Sequence, residues 1–360
     1  MRFIRNLFIV LIVLVGVAAA IGYVFRIEIG ERIFQRGVLQ NVGRNVVATL
    51  PDGLHVALCG SGSPMPDARR MGPCTAVIAG KRLFVVDVGS GAARNFGPMG
   101  LPTGAVEAVL LTHFHSDHID GLGELMMLRW AGGGNAAPLP VYGPAGVAEV
   151  IGGFNAAYVF DDGYRVAHHG ANINPPSGAG GEARPFAIDP QTQSVVLFEN
   201  DGLKVTAFTV DHAPIEPAVG YRFDYKGRSV VISGDTKPSE NLVRVATGAD
   251  LLVHEALNRE MVDMIGAALT SSGNKRAAKI FKDILNYHSS PVEAAQAAKR
   301  AGVKALVLTH IVPAVPVAYL NALFMRGTAA EYDGPITLGE DGMIFSLPAG
   351  GGEIINERLK

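Results

Sequence analysis

The sequence predicts an α/β domain with mixed sheets covered by helices, preceded by one apolar helix at the N-terminus. Three observations predict it. Short apolar, β-branched runs recur from Leu54 onward, punctuated by turns in a chain of 360 residues that holds 44 Gly and 21 Pro. Late in the chain such runs alternate with helical patterns. Apolar residues make up 48%, enough for a large core, and the net charge of −2 gives no electrostatic basis for holding nucleic acid.

Taken in order, "LFIVLIVLVGVAAAIGYVF" (7–25) runs for 19 residues without a charge, close to the roughly 20 that a helix needs to span a bilayer. Ala18-Ala19-Ala20 resembles a signal-peptide cleavage site, but the apolar run continues to Phe25, which favours an uncleaved anchor. Arg2 and Arg5 precede it, so the positive-inside rule leaves the N-terminus in the cytoplasm and the rest in the periplasm. The expectation is a single-pass inner-membrane protein, or a periplasmic one if the segment is cleaved. The divisions expected are 1–26 anchor or signal segment, 27–50 stem, helical around Ile29 to Val38, 51–350 catalytic domain and 351–360 tail.

"LHVALCG" and "TAVIAGKRLFVVDVG" read as strands, the second pattern turning at Gly80-Lys81. "VEAVLLTH" is a strand, and "LPVYGPAGV" a strand, a turn and a helix start. Residues 170–187 read as an irregular loop. "LKVTAFTVDH", "VGYRFDYKGRSVVISGDT" with a hairpin at Lys226-Gly227, "ADLLVHEA" and "KALVLTH" complete the strands. Ser290 to Glu293 forms a capping box with Pro291 at the first helical position, and that helix stops at Gly302. Cys59 and Cys74 are the only cysteines. They could pair in an oxidising compartment or remain two buried thiols.

The chemistry concentrates in "LLTHFHSDHIDG" (110–121). Here an apolar run delivers His113, His115, Asp117 and His118 to one loop. Imidazole and carboxylate are the ligands zinc prefers. His113 and His115 could face one ion, and Asp117 and His118 a second. Further candidates stand just past the apolar ends of other strands: His212 in "VDHAP", Asp235 in "SGDT" and His310 in "LTHIVP". Loops at one sheet edge would gather them.

On these residues the chain resembles the metallo-β-lactamase fold superfamily, with "HFHSDH", His212, Asp235 and His310 in the family's order across most of residues 54–346. It is most similar to the ribonuclease Z and metallo-arylsulfatase branch, through "LCGSGSPMPDARR", "SGDTKP", "ADLLVHEA", "YHSSPVEAAQAAKRAG" and "LTHIVP". The resemblance implies an αββα sandwich with two Zn²⁺ at one edge. It implies that His113, His115 and His212 hold one metal, that Asp117, His118 and His310 hold the other, and that Asp235 bridges them. A metal-bridging hydroxide would be the nucleophile, with Asp117 orienting it. His288 in "YHSSP" would bind anionic oxygens or protonate the leaving group, with Glu255 in "VHEA" orienting it. The branch often forms dimers, so a homodimer is implied as well.

Other polar residues have readings of their own. Asp87 is either a carboxylate that holds a ligand loop or a turn aspartate. His254 and Glu255 are alternatively a buried strand-end pair. His168 and His169 belong to the pocket rim or surface, and His55 to the structure.

The substrate is the open question. Transfer-RNA 3′-end cleavage calls for a basic arm after "YGPAG", yet 152–195 carries Arg165 and Arg184 against Asp161, Asp162, Glu182 and Asp189, a net of −2. That segment and the anchor argue against nucleic acid and favour a small-molecule sulfate ester or phosphodiester. Phe154, Tyr158, Phe160 and Tyr164 could wall an aromatic ester or, at their near-helical spacing, be ordinary packing. The alternatives are a ribonuclease Z-type endonuclease, a lactonase or β-lactamase, and a non-catalytic zinc-binding membrane protein.

Overall fold

The computed structural model describes residues 2–360. Contacts divide the chain into two compact units, Met1–Arg44 and Asn45–Lys360. The first consists of helices Arg2–Val24 and Arg26–Asn41, neither with a buried residue. Among the described residues, Arg2–Val24 is the one helix long and apolar enough to cross a membrane.

The second unit carries fifteen strands. These are β1 (Gly53–Gly60), β2 (Cys74–Ala79), β3 (Arg82–Val86), β4 (Val106–Leu110) and β5 (Leu139–Gly143). Then come β6 (Gly181–Pro185), β7 (Ser194–Asn200), β8 (Leu203–Thr209), β9 (Val219–Tyr225) and β10 (Arg228–Ile232). The last are β11 (Leu251–Leu257), β12 (Ala305–Val312), β13 (Ile336–Leu338), β14 (Met343–Pro348) and β15 (Ile355–Arg358). One sheet has the order β15-β14-β1-β2-β3-β4-β5-β6, and the other β13-β12-β11-β10-β9-β8-β7.

Strand alternation explains how the sheets stack. Leu54, Val56 and Leu58 of β1 turn inward to meet Val205, Phe223, Val230 and Val253 of the opposite sheet in one buried cluster. Ala57 and Cys59 turn the other way, onto a cluster with Phe96, Met99, Leu122 and Leu125 from helices Ala92–Met99 and Leu122–Gly133. On the far sheet, Val231, Leu252 and Leu306 pack on Ala294, Ala295 and Ala298 of helix Pro291–Ala301. Helices therefore cover both outer faces, giving the αββα layering expected. The capping box forms as read: Ser290 Oγ accepts from Glu293 N at 3.2 Å, and Glu293 Oε2 accepts from Ser290 N at 2.7 Å.

Two segments are more regular than their composition suggests. Within 170–187, Gly181–Pro185 forms edge strand β6 beside β5. Its glycines and prolines obscure the pattern, and pairing with β5 supplies the order. Within the last ten residues, Ile355–Arg358 forms β15 against β14. Cys59 and Cys74 are joined as a disulfide.

Candidate metal centre

The donors reach one end of the sandwich because their strands end there. His113 follows β4, His212 follows β8, Asp235 follows β10, and His310 lies within β12. Close backbone approach is needed where loops meet. A side chain at Gly89 would place its Cβ 2.2 Å from Asp117 O, so the loop after β3 can back the His113–His118 segment only as glycine. Gly234 has φ +62°, which turns the chain immediately before Asp235.

All seven donors predicted from the sequence converge. One group comprises His113, His115, His212 and Asp235, and another Asp117, His118 and His310, each with donor atoms within 4.8 Å of one another. Asp235 Oδ2 is common ground: it lies 3.3 Å from His118 Nε2, 3.3 Å from His310 Nε2, and 3.9 Å from His113 Nε2 and His212 Nε2. His113 Nε2 and His115 Nδ1 are 3.0 Å apart, and His310 Nε2 is 3.2 Å from Asp117 Oδ2. Two nitrogen ligands on a tetrahedral zinc at its usual bond lengths stand about 3.3 Å apart. His118 Nε2, His212 Nε2 and Asp235 Oδ1 are buried without a hydrogen-bond partner. Orphaned buried donors at ligand spacing, from an all nitrogen and oxygen set, fit a pair of divalent cations.

The surrounding contacts set the imidazole tautomers. Asp87 Oδ1 accepts from Thr112 N at 2.8 Å. Its Oδ2 accepts from Thr112 Oγ1 at 2.7 Å and His118 Nδ1 at 2.8 Å. Asp87 thus holds the ligand loop and turns His118 Nε2 inward. His212 Nδ1 donates to Tyr287 O at 2.8 Å, aiming its Nε2 likewise. Glu255 Oε1 accepts from His288 Nδ1 at 3.1 Å, Ser289 N at 2.9 Å and Thr236 N at 3.2 Å. One carboxylate therefore ties the His288 loop to the residue after Asp235.

Electrostatics favour the ligating form at three of the histidines, whereas at His118 the carboxylates of Asp235, Asp87 and Asp117 outweigh burial and raise the pKa. Burial holds His113 well below the usual imidazole range and lowers His115 and His212, favouring their neutral, ligating form. Burial opposes charge on Asp235, but His310 and His118 outweigh it and hold the carboxyl well below its ordinary range. Burial also opposes charge on His288, yet the carboxylates of Glu255 and Asp235 raise it.

The remaining candidates lie elsewhere. His55 is buried with Nε2 donating to Pro51 O at 3.0 Å, and His254 is buried with Nδ1 donating to Glu255 O at 2.7 Å. His168 and His169 end the exposed helix Val147–His169. The aromatic wall expected on that helix does not face the donors: Phe160 and Tyr164 are 72% and 69% exposed, and Phe154 packs on the outer core cluster. Helical spacing sends Phe154 to the core and Phe160 to solvent. A wall exists, but from residues the sequence reading passed over. A cavity of about 440 Å³ at the donors is lined by Met65, Phe281, Ile284, Tyr287 and Val312 together with Asp117, Asp235 and His288. The signal was the amphipathic "KRAAKIFKDILNY" between "VHEA" and "HSSP".

Comparison with known proteins follows this geometry. The family model described as the beta-lactamase superfamily domain matches residues 84–311. Ribonuclease Z of Mycolicibacterium gilvum (strain PYR-GCK) is 37% identical over 290 residues, covering 80% of this chain and 94% of that protein. Ribonuclease Z of Mycobacterium bovis (strain BCG / Pasteur 1173P2) is 38% identical, covering 80% and 96%. Among solved structures, human tRNase Z, short form, superposes with a TM-score of 0.57 at 23% identity, covering 82% of this chain and 99% of that one. The metallo-beta-lactamase fold protein YhfI from Bacillus subtilis gives a TM-score of 0.58 at 20% identity, covering 82% and 100%.

These relatives overturn two expectations, a small-molecule sulfate ester or phosphodiester as substrate and nucleic acid as a disfavoured partner, and they back the ribonuclease Z alternative. Part of the error lay in resting the substrate on the charge of 152–195. Its arginines are spent on neighbours, Arg165 on Asp161 at 2.7 Å and Arg184 on Glu182 at 2.8 Å, and none of its residues lines the donor cavity. The net charge of such a segment says nothing about what the donors accept.

Proposed function

Because the chain belongs to the beta-lactamase superfamily and, within it, to the ribonuclease Z family, a metal-dependent hydrolase of ester bonds, we propose that it is an endonuclease of the ribonuclease Z type that hydrolyses a phosphodiester in a tRNA-like RNA. The supporting observation is an identity of 37–38% over 290 residues, which spans 94–96% of the relatives' length.

His113, His115 and His212 would hold one Zn²⁺, and Asp117, His118 and His310 the other, with Asp235 shared. Bound there, the cations would neutralise the phosphoryl oxygens and lower the pKa of water so that it attacks at neutral pH. The protein's own residues do the rest. Asp87 keeps His118 in one tautomer. Asp117, which lines the cavity, would orient the attacking water. Glu255 accepts from His288 Nδ1 and raises its pKa, which favours the protonated form, and leaves Nε2 to deliver a proton to the leaving oxygen.

Helix Arg2–Val24 would anchor the chain in a membrane with Arg2 and Arg5 on the cytoplasmic side.

The test uses the full chain in detergent micelles with zinc and a 3′-extended tRNA precursor. Cleavage at one position near the 3′ end, abolished in Asp235→Ala, is the expected result. No cleavage of the precursor, with metal bound, would refute the reading.

A further inference from the structure

The donor cavity has two unlike sides. One is the polar donor set. The other is apolar and comes from distant parts of the chain: Met65, Phe281, Ile284, Tyr287 and Val312. Helix Lys275–Asp283 supplies part of that side, and none of its residues is buried. Ile280 on this helix is 56% exposed beside the cavity. An apolar side left open next to catalytic donors implies an apolar group on the substrate. The rings of Tyr287 and His212 meet in a T-shaped contact, centroids 5.1 Å apart at 82°, and the Tyr287 backbone oxygen accepts from His212 Nδ1. The Tyr287 ring is therefore held in place at the donors themselves.

The same helix bears the opposite chemistry on its other residues. Lys275, Arg276, Lys279 and Lys282 are all exposed, against one acid, Asp283, which pairs with Lys279. An element with an open aromatic side toward the reaction and exposed cations elsewhere suits a polyanion that carries flat apolar groups. RNA is such a molecule: every base has a π-face, and aromatic side chains hold bases irrespective of their sequence.

Resting on the ribonuclease reading, we infer that Phe281 and Tyr287 form a stacking subsite for a nucleobase adjacent to the scissile phosphodiester. The residues thereby position the phosphate over the donors, and they take no part in the bond cleavage itself.

The experiment measures kcat/KM for the zinc-loaded full chain on a 3′-extended RNA, and on the same RNA with an abasic nucleotide on either side of the cleaved bond. Wild type, Phe281→Ala, Tyr287→Ala, Tyr287→Phe and Phe281→Leu are compared, with zinc content and binding of the RNA followed separately. Loss of a stacked base costs roughly 5- to 100-fold in proteins that use this contact. Wild type should lose about that much on one abasic substrate. The alanine variants and Phe281→Leu should lose as much on intact RNA and little more on the abasic one, whereas Tyr287→Phe keeps the ring and the activity. Equal cleavage of intact and abasic RNA by wild type overturns the subsite and leaves the ribonuclease reading standing. So do losses that multiply independently. Should the alanine variants lose zinc, Phe281→Leu decides. A wild type that cleaves no RNA refutes the ribonuclease reading, and the subsite with it.

Discussion

Asp87 illustrates how much a single side chain settles at this centre. It sits at φ +57°, an uncommon conformation for a residue with a side chain, and accepts three hydrogen bonds from Thr112 and His118. Asp87→Ala is expected to reduce zinc affinity or turnover about 10- to 100-fold, the usual effect of removing a group that orients a ligand. Metal analysis after dialysis checks it. His288 carries a pH prediction. Its pKa is raised by Glu255 and Asp235 against the effect of burial. In the proton-donor role proposed for it the protonated form acts, so kcat/KM should fall as pH rises through that pKa. Glu255→Gln removes the first of those carboxylates and should move this limb to lower pH. His288→Ala should cost about 10²–10⁴ in rate and abolish the limb. An unchanged alkaline limb in Glu255→Gln would contradict the assignment. The ligand residues were legible in the sequence because each is a histidine or aspartate placed at the end of an apolar run. Asp87 was less so, since a turn aspartate looks the same until its partner, Thr112, is brought alongside.

At the scale of elements, the capping box at Ser290 ties the catalytic loop to the helix that covers β11 and β12. Ser290→Ala should destabilise the domain by about 1 kcal/mol, read by urea denaturation as a lower midpoint. The disulfide between Cys59 and Cys74 closes a loop of 15 residues. In the chain-entropy view such a loop contributes about 3 kcal/mol. Reduction, or Cys59→Ser with Cys74→Ser, should lower stability by that order in a thermal melt, with no change in the metal donors. Helix Lys275–Asp283 offers a third test. Lys282→Glu should raise KM for RNA several-fold at low salt, and the difference should fade as salt rises. Most strands and turns could be read locally, including Gly80-Lys81 and Lys226-Gly227, because apolar alternation and turn residues act over a few positions. Strands β7, β13 and β14 went unread, and β6 and β15 could not be read. The last two are edge strands with exposed or polar residues, and only pairing with β5 and β14 makes them strands.

For the whole molecule, the N-terminal helix and the catalytic unit are separate compact bodies. A C-terminal alkaline phosphatase fusion should be active in the membrane fraction if the anchor crosses once with its arginines inside. An inactive phosphatase fusion paired with a fluorescent cytoplasmic reporter would reverse that topology and place the donors alongside cytoplasmic RNA. The amino-acid sequence was sufficient for an α/β class, the candidate donors and the cap at Ser290, since these follow from short-range periodicity, turn chemistry and residue type, while the αββα layering and the grouping of the donors came from resemblance to a family. Only the tertiary structure decided that Asp235 Oδ2 is shared by His118 and His310, that Cys59 meets Cys74, and that Phe281 and Tyr287, not the aromatics at 154–164, face the donors. Those facts depend on how two sheets stack and on which helix closes over their edge. Such contacts join residues of different elements, from 15 to more than a hundred positions apart, beyond the reach of any local pattern.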